Sequence, residues 1–239
     1  MPTKGRRRWA QQAIRYWLRQ DYPNRELIIL DDGADPIGDL VKDVKDSRIH
    51  YVHLVGHHSI GAKLNFGINI AGGDLLAIWA DDDWHAPYRL GMQAEALENS
   101  GREVCGSDRM ICWDLRRDVA ARYWWEPGRI TSAYLLGGTL LMRRSFWEER
   151  PYEDISLGED NEFIQGRLVG RAVSIDPTFY VWMLHGSNSS PSRVADRHEQ
   201  FEPVSLEELR ALMGDDFDWY DGLRANMHAI DASFVNLRG

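Results

Sequence analysis

The sequence predicts an α/β fold, a Rossmann-like and mostly parallel central sheet flanked by helices. Three observations predict it. Through the first hundred residues, apolar runs of strand length alternate with stretches of helical periodicity, which is the order that βαβ units require. Two of the apolar runs, "RELIILDDG" and "DLLAIWADDD", stop abruptly on aspartates, as buried strands do where they reach a loop. A chain of 239 residues, 44% hydrophobic and 27% charged, suits a soluble globular domain with a sizeable core.

The elements follow in order. "RRRWAQQAIRYWLRQ" sets Trp9, Ala13, Ile14, Trp17 and Leu18 at helical spacing, and "DYPN" breaks that helix. "RELIILDDG" is the first strand, ending at Asp31, Asp32 and Gly33; "RIHYVHL" is the second. "SIGAKLNFGINIA" puts Leu64, Ile68 and Ala71 on one helical face, with Ser59 as its cap and Gly72-Gly73 as its stop. "DLLAIWADDD" is the third strand. "APYRLGMQAEALENSG" is a helix with Pro87 near its start, Leu90, Ala94 and Leu97 on one stripe, and Gly101 at its end.

The second half is less regular. "AYLLGGTLLMRR" reads as a strand broken at Gly137-Gly138, where a ligand or another backbone comes close. "SLGEDNEFIQGRLVGRA" reads as a helix and "SIDPTFYVWMLH" as one or two strands ending at His185. From Ser187 the polar "GSNSSPSRVADRHEQ" resembles a linker, and in "SLEELRALMGDD" Ser205 and Glu208 form a capping box. These signals divide the chain into a main domain over residues 1–195 and a helical tail over 196–239.

Composition narrows the function. A formal net charge of −9 argues against a nucleic-acid binder, which needs a basic face. The local cluster of Lys4, Arg6, Arg7 and Arg8 suits either a solvated helix start or contact with a phosphate or an anionic membrane surface. Cys105 and Cys112 are too few for a disulfide framework and read as buried, reduced thiols. No run is long enough to span a membrane and the N-terminus lacks a signal-peptide core, so a cytoplasmic location is expected, with membrane contact no deeper than the surface.

In a parallel sheet the carboxyl ends of the strands share one rim, so Asp31, Asp32, Asp81, Asp82 and Asp83 should converge there. Such a rim repels itself unless something cationic or polar compensates, and Mg²⁺ or Mn²⁺ held by one or two carboxylates and substrate phosphates is the usual remedy. Each signal also has a plainer reading. The aspartate triplet fits an ordinary acidic loop, Ser156 and Glu159 fit a capping box with Asp160 in its first turn, and a lone His185 at a strand end fits a structural role.

Taken together and in order, "QDYPNRELIILDDG", "IGAKLNFGINIAGGDLLAIWADDDWHAPYRL", "GGTLLMRRSFW", "LGEDNEF" and "LHGSNSS" resemble the family 2 glycosyltransferases over residues 1 to about 190. The resemblance implies a GT-A fold and an enzyme that moves a sugar from a nucleotide-diphosphate donor, a UDP-sugar being favoured, to a saccharide or other hydroxyl acceptor with inversion. It also assigns roles. Thr3, Asp31, Asp32, Lys63, Asn65 and Asp81 would bind the donor, and Asp82, Asp83 and His185 would hold a divalent cation, Mn²⁺ or Mg²⁺. Asp160 would be the base that removes the acceptor proton, with Glu159 in support or simply a cap.

Three departures from the family pattern accompany these expectations. The first strand is missing, since the chain starts at Met1-Pro2-Thr3 where an apolar strand would lead into a Pro-Thr turn; neighbouring backbone groups and apolar surface should be left uncovered. The leading acid of the Asp-x-Asp-Asp motif falls on Ala80, and Leu64 stands where an arginine is frequent. A catalytically inactive remnant that binds a nucleotide or a partner is therefore the alternative. A dinucleotide-dependent oxidoreductase is disfavoured, because no G-x-G-x-x-G follows the first strand.

Overall fold

The computed structural model describes residues 1–124, 134–189 and 201–225. Strand β1 (Pro2–Thr3) leads into helix α1 (Arg7–Leu18), whose apolar spacing buries Ala10, Ala13, Ile14, Tyr16 and Trp17. Strand β2 (Leu27–Asp31) is buried along its whole length, and helix α2 (Gly38–Val44) connects it to β3 (Ile49–His53). Helix α3 (Ile60–Ile70) starts where the Ser59 hydroxyl accepts the Ala62 N–H at 3.0 Å, so the cap read from the sequence is formed. The short strands β4 (Leu75–Ala77) and β5 (Trp84–His85) bracket the acidic triplet. Helix α4 (Arg89–Ser100) ends at Gly101, whose φ of +63° is the left-handed turn that glycine takes without strain.

The remaining described elements are β6 (Val104–Gly106), β7 (Arg109–Asp114), β8 (Val119–Trp124), β9 (Leu141–Arg143), α5 (Arg144–Glu149), α6 (Glu159–Ile164), β10 (Ala172–Ser174), β11 (Tyr180–Leu184), β12 (Phe201–Val204) and α7 (Leu206–Met213). Where one broken strand was expected around Gly137-Gly138, residues 137–139 form a 3₁₀ turn and only Leu141–Arg143 pair. The helix expected through "SLGEDNEFIQGRLVGRA" stops at Ile164. Gly166 and Gly170, with φ of +73° and +72°, turn the chain out of helical geometry.

The strands pair as β1-β2-β3, all parallel; as β10-β6-β9-β4, with β10 and β6 parallel; and as β12-β8-β7-β11-β5, with β7 and β11 parallel. The fold is thus α/β with parallel and mixed sheets. The tail contributes more than a helix: β12 adds antiparallel to β8, with Pro203 tolerated on the sheet's edge, and Leu209, Met213, Phe217 and Tyr220 enter the same core as α1 and β7. The boundary drawn at 195/196 lies outside the described residues, as do residues 226–239 of the tail. Both cysteines are buried free thiols. Among the described residues no helix is long and apolar enough to cross a membrane.

Between β2 and β4 the sheets part. A cleft of about 860 Å³ opens there, lined by Leu27, Ile28 and Leu30 on one side, Leu75, Leu76 and Ala77 on the other, and Leu64, Ile68 and Leu90 from the helices. Two residues, Pro2 and Thr3, pair with Leu30 and Asp31 at one end of this cleft, and the Met1 amino group donates to the Ile28 carbonyl at 2.7 Å. Burial makes the charged amine costly and lowers its pKa to about 5. Leu27, Ile28, Leu30 and Leu76 are nevertheless each less than a tenth exposed, so the apolar surface expected to lie uncovered is largely buried.

Candidate active site

The acidic loop begins where β4 ends and the Ile78 N–H turns to the Leu140 carbonyl. Trp79 packs inward, stacked on His85 with 3.9 Å between ring centroids, and this anchors the aspartates that follow. Asp81, Asp82 and Asp83 are all more than nine-tenths buried, so each needs a partner. Asp83 accepts from the Tyr180 hydroxyl and from the Met183 N–H at 2.8 Å, which ties the loop to β11. Asp82 accepts from Arg6 and lies 3.1 Å from His185 Nε2; His185 in turn stacks on Trp9 at 4.2 Å. Asp81 accepts from Arg6 through Oδ1 at 3.0 Å, while its Oδ2 is buried without a hydrogen-bond partner. Burial and the neighbouring Asp82 push the Asp81 pKa up to about 6, against the opposing pull of Arg6, and burial likewise holds Asp83 well above the carboxylate range.

The first acidic pair is compensated differently. Asp31 is an intra-protein brace, accepting the Gly33 and Ile37 N–H groups at 2.8 and 3.0 Å and the Tyr51 hydroxyl at 2.9 Å. Asp32 pairs with Lys63 at 2.7 Å and accepts the His58 N–H. Burial alone would raise the Asp32 pKa, but the Lys63 ammonium and that N–H outweigh it and hold the pKa at about 2. Lys63 also donates to the Thr3 carbonyl at 3.3 Å, which joins the β1 turn to α3. Asn65 faces elsewhere: its amide donates to the Tyr152 carbonyl and accepts from Trp147 Nε1 and the Tyr152 N–H.

Across the cleft, the first turn of α6 carries Glu159 and Asp160. The residue before that turn is Gly158 at φ +80°, and Ser156 instead accepts the Ile60 N–H, so the capping box from Ser156 to Glu159 does not form. Asp160 rests directly on Gly137, where a Cβ would collide with its carboxylate; a Cβ on Gly138 would collide with the Tyr180 hydroxyl. The close approach read from the glycine pair is therefore that of Asp160 and Tyr180. Burial raises the Asp160 pKa, while the Asn161 N–H, 2.8 Å from Oδ1, lowers it. Burial and then the Asp160 charge push Glu159 up to about 7.

Glu159 is raised in the folded state above its unfolded value, so its contribution to stability is complete below about pH 4.5 and is lost as pH rises through 7. Glu159→Gln should therefore gain about 1–2 kcal/mol over the native protein between those limits, a figure reduced for solvent screening of this half-buried side chain. Thermal unfolding at pH 5 and pH 8 reads it, and a pH-independent difference would remove the raised carboxyl.

Thr3, Lys63, Asp81, Asp82, Asp83 and Asp160 all line one cleft of about 1200 Å³. Asp31, Asp32 and His185 stand behind that lining, and Asn65 braces Tyr152, which lines it. Among the described residues no three His, Cys, Asp or Glu side chains are gathered closely enough to hold a metal alone. The donor set still fits one: a buried, unpartnered Asp81 oxygen beside Asp82 and His185 offers hard oxygen and imidazole ligands to a cation that brings the rest of its shell from phosphate. Arg6 and Arg89 escaped a reading by local pattern. Arg6 stood in a basic cluster with a surface explanation, and nothing near Arg89 marked it as buried.

The family model for glycosyl transferase family 2 matches residues 1–147, more than half of the chain. WcaA of Escherichia coli (strain K12), provisionally named a colanic acid biosynthesis glycosyl transferase, is 37% identical over 95 residues, 38% of this chain and 34% of its own length. An uncharacterized glycosyltransferase of Rickettsia bellii (strain RML369-C) is 31% identical over 102 residues, 42% of this chain and 15% of its own length. The matches thus span about a third or less of these relatives. Among solved structures, S. aureus TarS 1-349 in complex with UDP-GlcNAc superposes with a TM-score of 0.61 at 15% identity, over 88% of this chain and 63% of that one. The mannosyltransferase PcManGT from Pyrobaculum calidifontis, in complex with GDP-Man and Mn²⁺, superposes at 0.58 with 16% identity, over 97% and 73%.

Proposed function

This chain belongs to glycosyl transferase family 2, and from that premise we propose that it transfers a sugar from a nucleoside-diphosphate donor to an acceptor hydroxyl, with inversion at the anomeric carbon. The observation that carries the reading is the opposition of two kinds of acid in one cleft. Asp81 keeps a buried, unpartnered oxygen beside Asp82, and Asp160 is a carboxylate of raised basicity.

In this reading Asp160 accepts the acceptor's proton as its oxygen attacks, and a pKa raised by burial makes it a better base once ionised. Single displacement then expels the nucleoside diphosphate from the opposite face. Asp81, Asp82 and His185 would hold a divalent cation, which when bound would neutralise charge on the departing diphosphate. Asp81 takes the place that the resemblance gave to Asp83 among the metal ligands, because Asp81 keeps an unpartnered oxygen. Both Asp83 oxygens are engaged by Tyr180 and Met183 and serve the site by fixing the loop. Thr3, Asp32 and Lys63 receive the nucleoside, with Asp31 shaping the turn and Asn65 contributing through Tyr152. A UDP-sugar is the favoured donor; neighbours of the fold are solved with UDP-GlcNAc in one case and with GDP-Man and Mn²⁺ in another. The acceptor is a saccharide or another hydroxyl compound.

Calorimetric titration with UDP and GDP, each with and without Mn²⁺, tests the donor site. One nucleotide should bind at least tenfold more tightly with Mn²⁺, and Asp82→Ala should abolish that difference while the protein still melts cooperatively. A folded protein that binds neither nucleotide under any condition would reject the reading in favour of an inactive remnant.

A further inference from the structure

The donor-site reading leaves Arg6 without a role, although Arg6 contacts two of the three aspartates of the acidic loop. Its guanidinium bridges 75 residues of sequence: Nη1 donates to Asp81 Oδ1 at 3.0 Å and to Asp82 Oδ2, while Nη2 donates to Ser189 Oγ at 3.1 Å. The side chain is 19% exposed, so water screens these contacts weakly. An arginine does not lose its proton under ordinary conditions, so Arg6 is a permanent single positive charge on oxygens that a divalent cation would use. Asp82 Oδ2 is moreover shared between Arg6 and His185 Nε2. A cation reaching Asp82 must displace the guanidinium or be repelled by it. A diphosphate, in contrast, offers the same planar fork a new anionic partner.

Accepting the cleft as the donor site, we infer that Arg6 is a displaceable internal counter-cation. It holds Asp81 and Asp82 while the cleft lacks a donor, opposes a divalent cation that arrives alone, and turns to the diphosphate when nucleotide and cation enter together. The consequence is coupling between two ligands. Release of Arg6 is unfavourable for the metal by itself and is offset when the nucleotide supplies the guanidinium with a partner. By linkage each ligand then tightens the other by the same factor. Gly5, at φ +62° immediately before Arg6, and the contact of Arg6 with Ser189 place both ends of this movement on loops rather than on strands.

Mn²⁺ binding followed by electron paramagnetic resonance of the free ion, with and without UDP or GDP, tests the inference on the full chain. In Arg6→Gln, Mn²⁺ alone should bind about tenfold more tightly than in the native protein, and the tightening produced by the nucleotide should shrink by a similar factor. Arg6→Lys keeps the charge and should leave Mn²⁺ alone weakly bound, which separates removal of charge from damage to the fold. Unchanged or weaker Mn²⁺ affinity in Arg6→Gln, with normal nucleotide binding in the native protein, overturns this inference alone. A native protein that binds neither Mn²⁺ nor nucleotide overturns the donor site and the inference with it.

Discussion

Asp160→Asn is expected to slow sugar transfer by about a thousandfold while leaving nucleotide affinity within about twofold. The argument rests on how narrowly Asp160 is seated. Gly137 has no Cβ to displace its carboxylate, the Asn161 N–H lies 2.8 Å from Oδ1, and burial raises its pKa. Asparagine has the same shape and can keep the Asn161 contact, so the segment should stay in place. It cannot take a proton, however, and general-base catalysis typically contributes 10²–10⁴-fold. Release of nucleoside diphosphate in the presence of acceptor reads the rate, and calorimetry with the same nucleotide reads binding. Turnover retained within tenfold would remove Asp160 as the base; loss of binding as well would make it a structural residue instead.

How much of this was legible in advance depended on whether the signal was local. Helices α1, α3 and α4 announced themselves through apolar spacing, the Ser59 cap and Gly101, all of which act over a single turn of chain. The aspartates closing the apolar runs were equally visible, because their position depends on strand ends. What compensates them was not. Asp83 finds Tyr180 97 residues away and Asp82 finds His185 103 residues away, pairings that exist only after the sheet has closed. Much of the repulsion assigned in advance to a cation and a diphosphate is answered by Lys63, Arg6, Tyr180 and backbone N–H groups. The glycine pair is the intermediate case. A close approach at Gly137-Gly138 was readable from the missing side chains, whereas the identity of Asp160 and Tyr180 as the approaching groups required the fold.

Arg89→Met should cost about 3–5 kcal/mol of stability, the largest stability effect expected here. Arg89 is completely buried and forms no ion pair among the described contacts. Its donors instead meet neutral acceptors: Gln93 Oε1 at 3.0 Å, His85 Nδ1 at 2.6 Å, the Ile78 carbonyl at 2.8 Å and the Gly138 carbonyl at 2.9 Å. Trp79 and Tyr180 rings cover the guanidinium at 5.3 and 5.4 Å. Burial lowers its pKa to about 10, so it remains charged at neutral pH. Methionine fills much of the same volume and escapes the cost of burying a charge, which is why the expected loss falls well short of four full hydrogen bonds. It nevertheless removes the donor from two carbonyls, the Gln93 amide oxygen and an imidazole nitrogen where water does not readily reach them, at about 1–3 kcal/mol for each that finds no other partner. For a chain of this size the loss corresponds to a fall in Tm of about 10 °C. The consequence extends to the site. Ile78 leads into the acidic loop and Gly138 adjoins the seat of Asp160, so one guanidinium clamps together the two walls that carry the acids. Arg89→Met should therefore weaken nucleotide binding even at temperatures where the variant is fully folded. Calorimetric unfolding and nucleotide titration together test this, and a loss below about 1 kcal/mol would mean that water or repacking satisfies the freed carbonyls and that the clamp lies elsewhere.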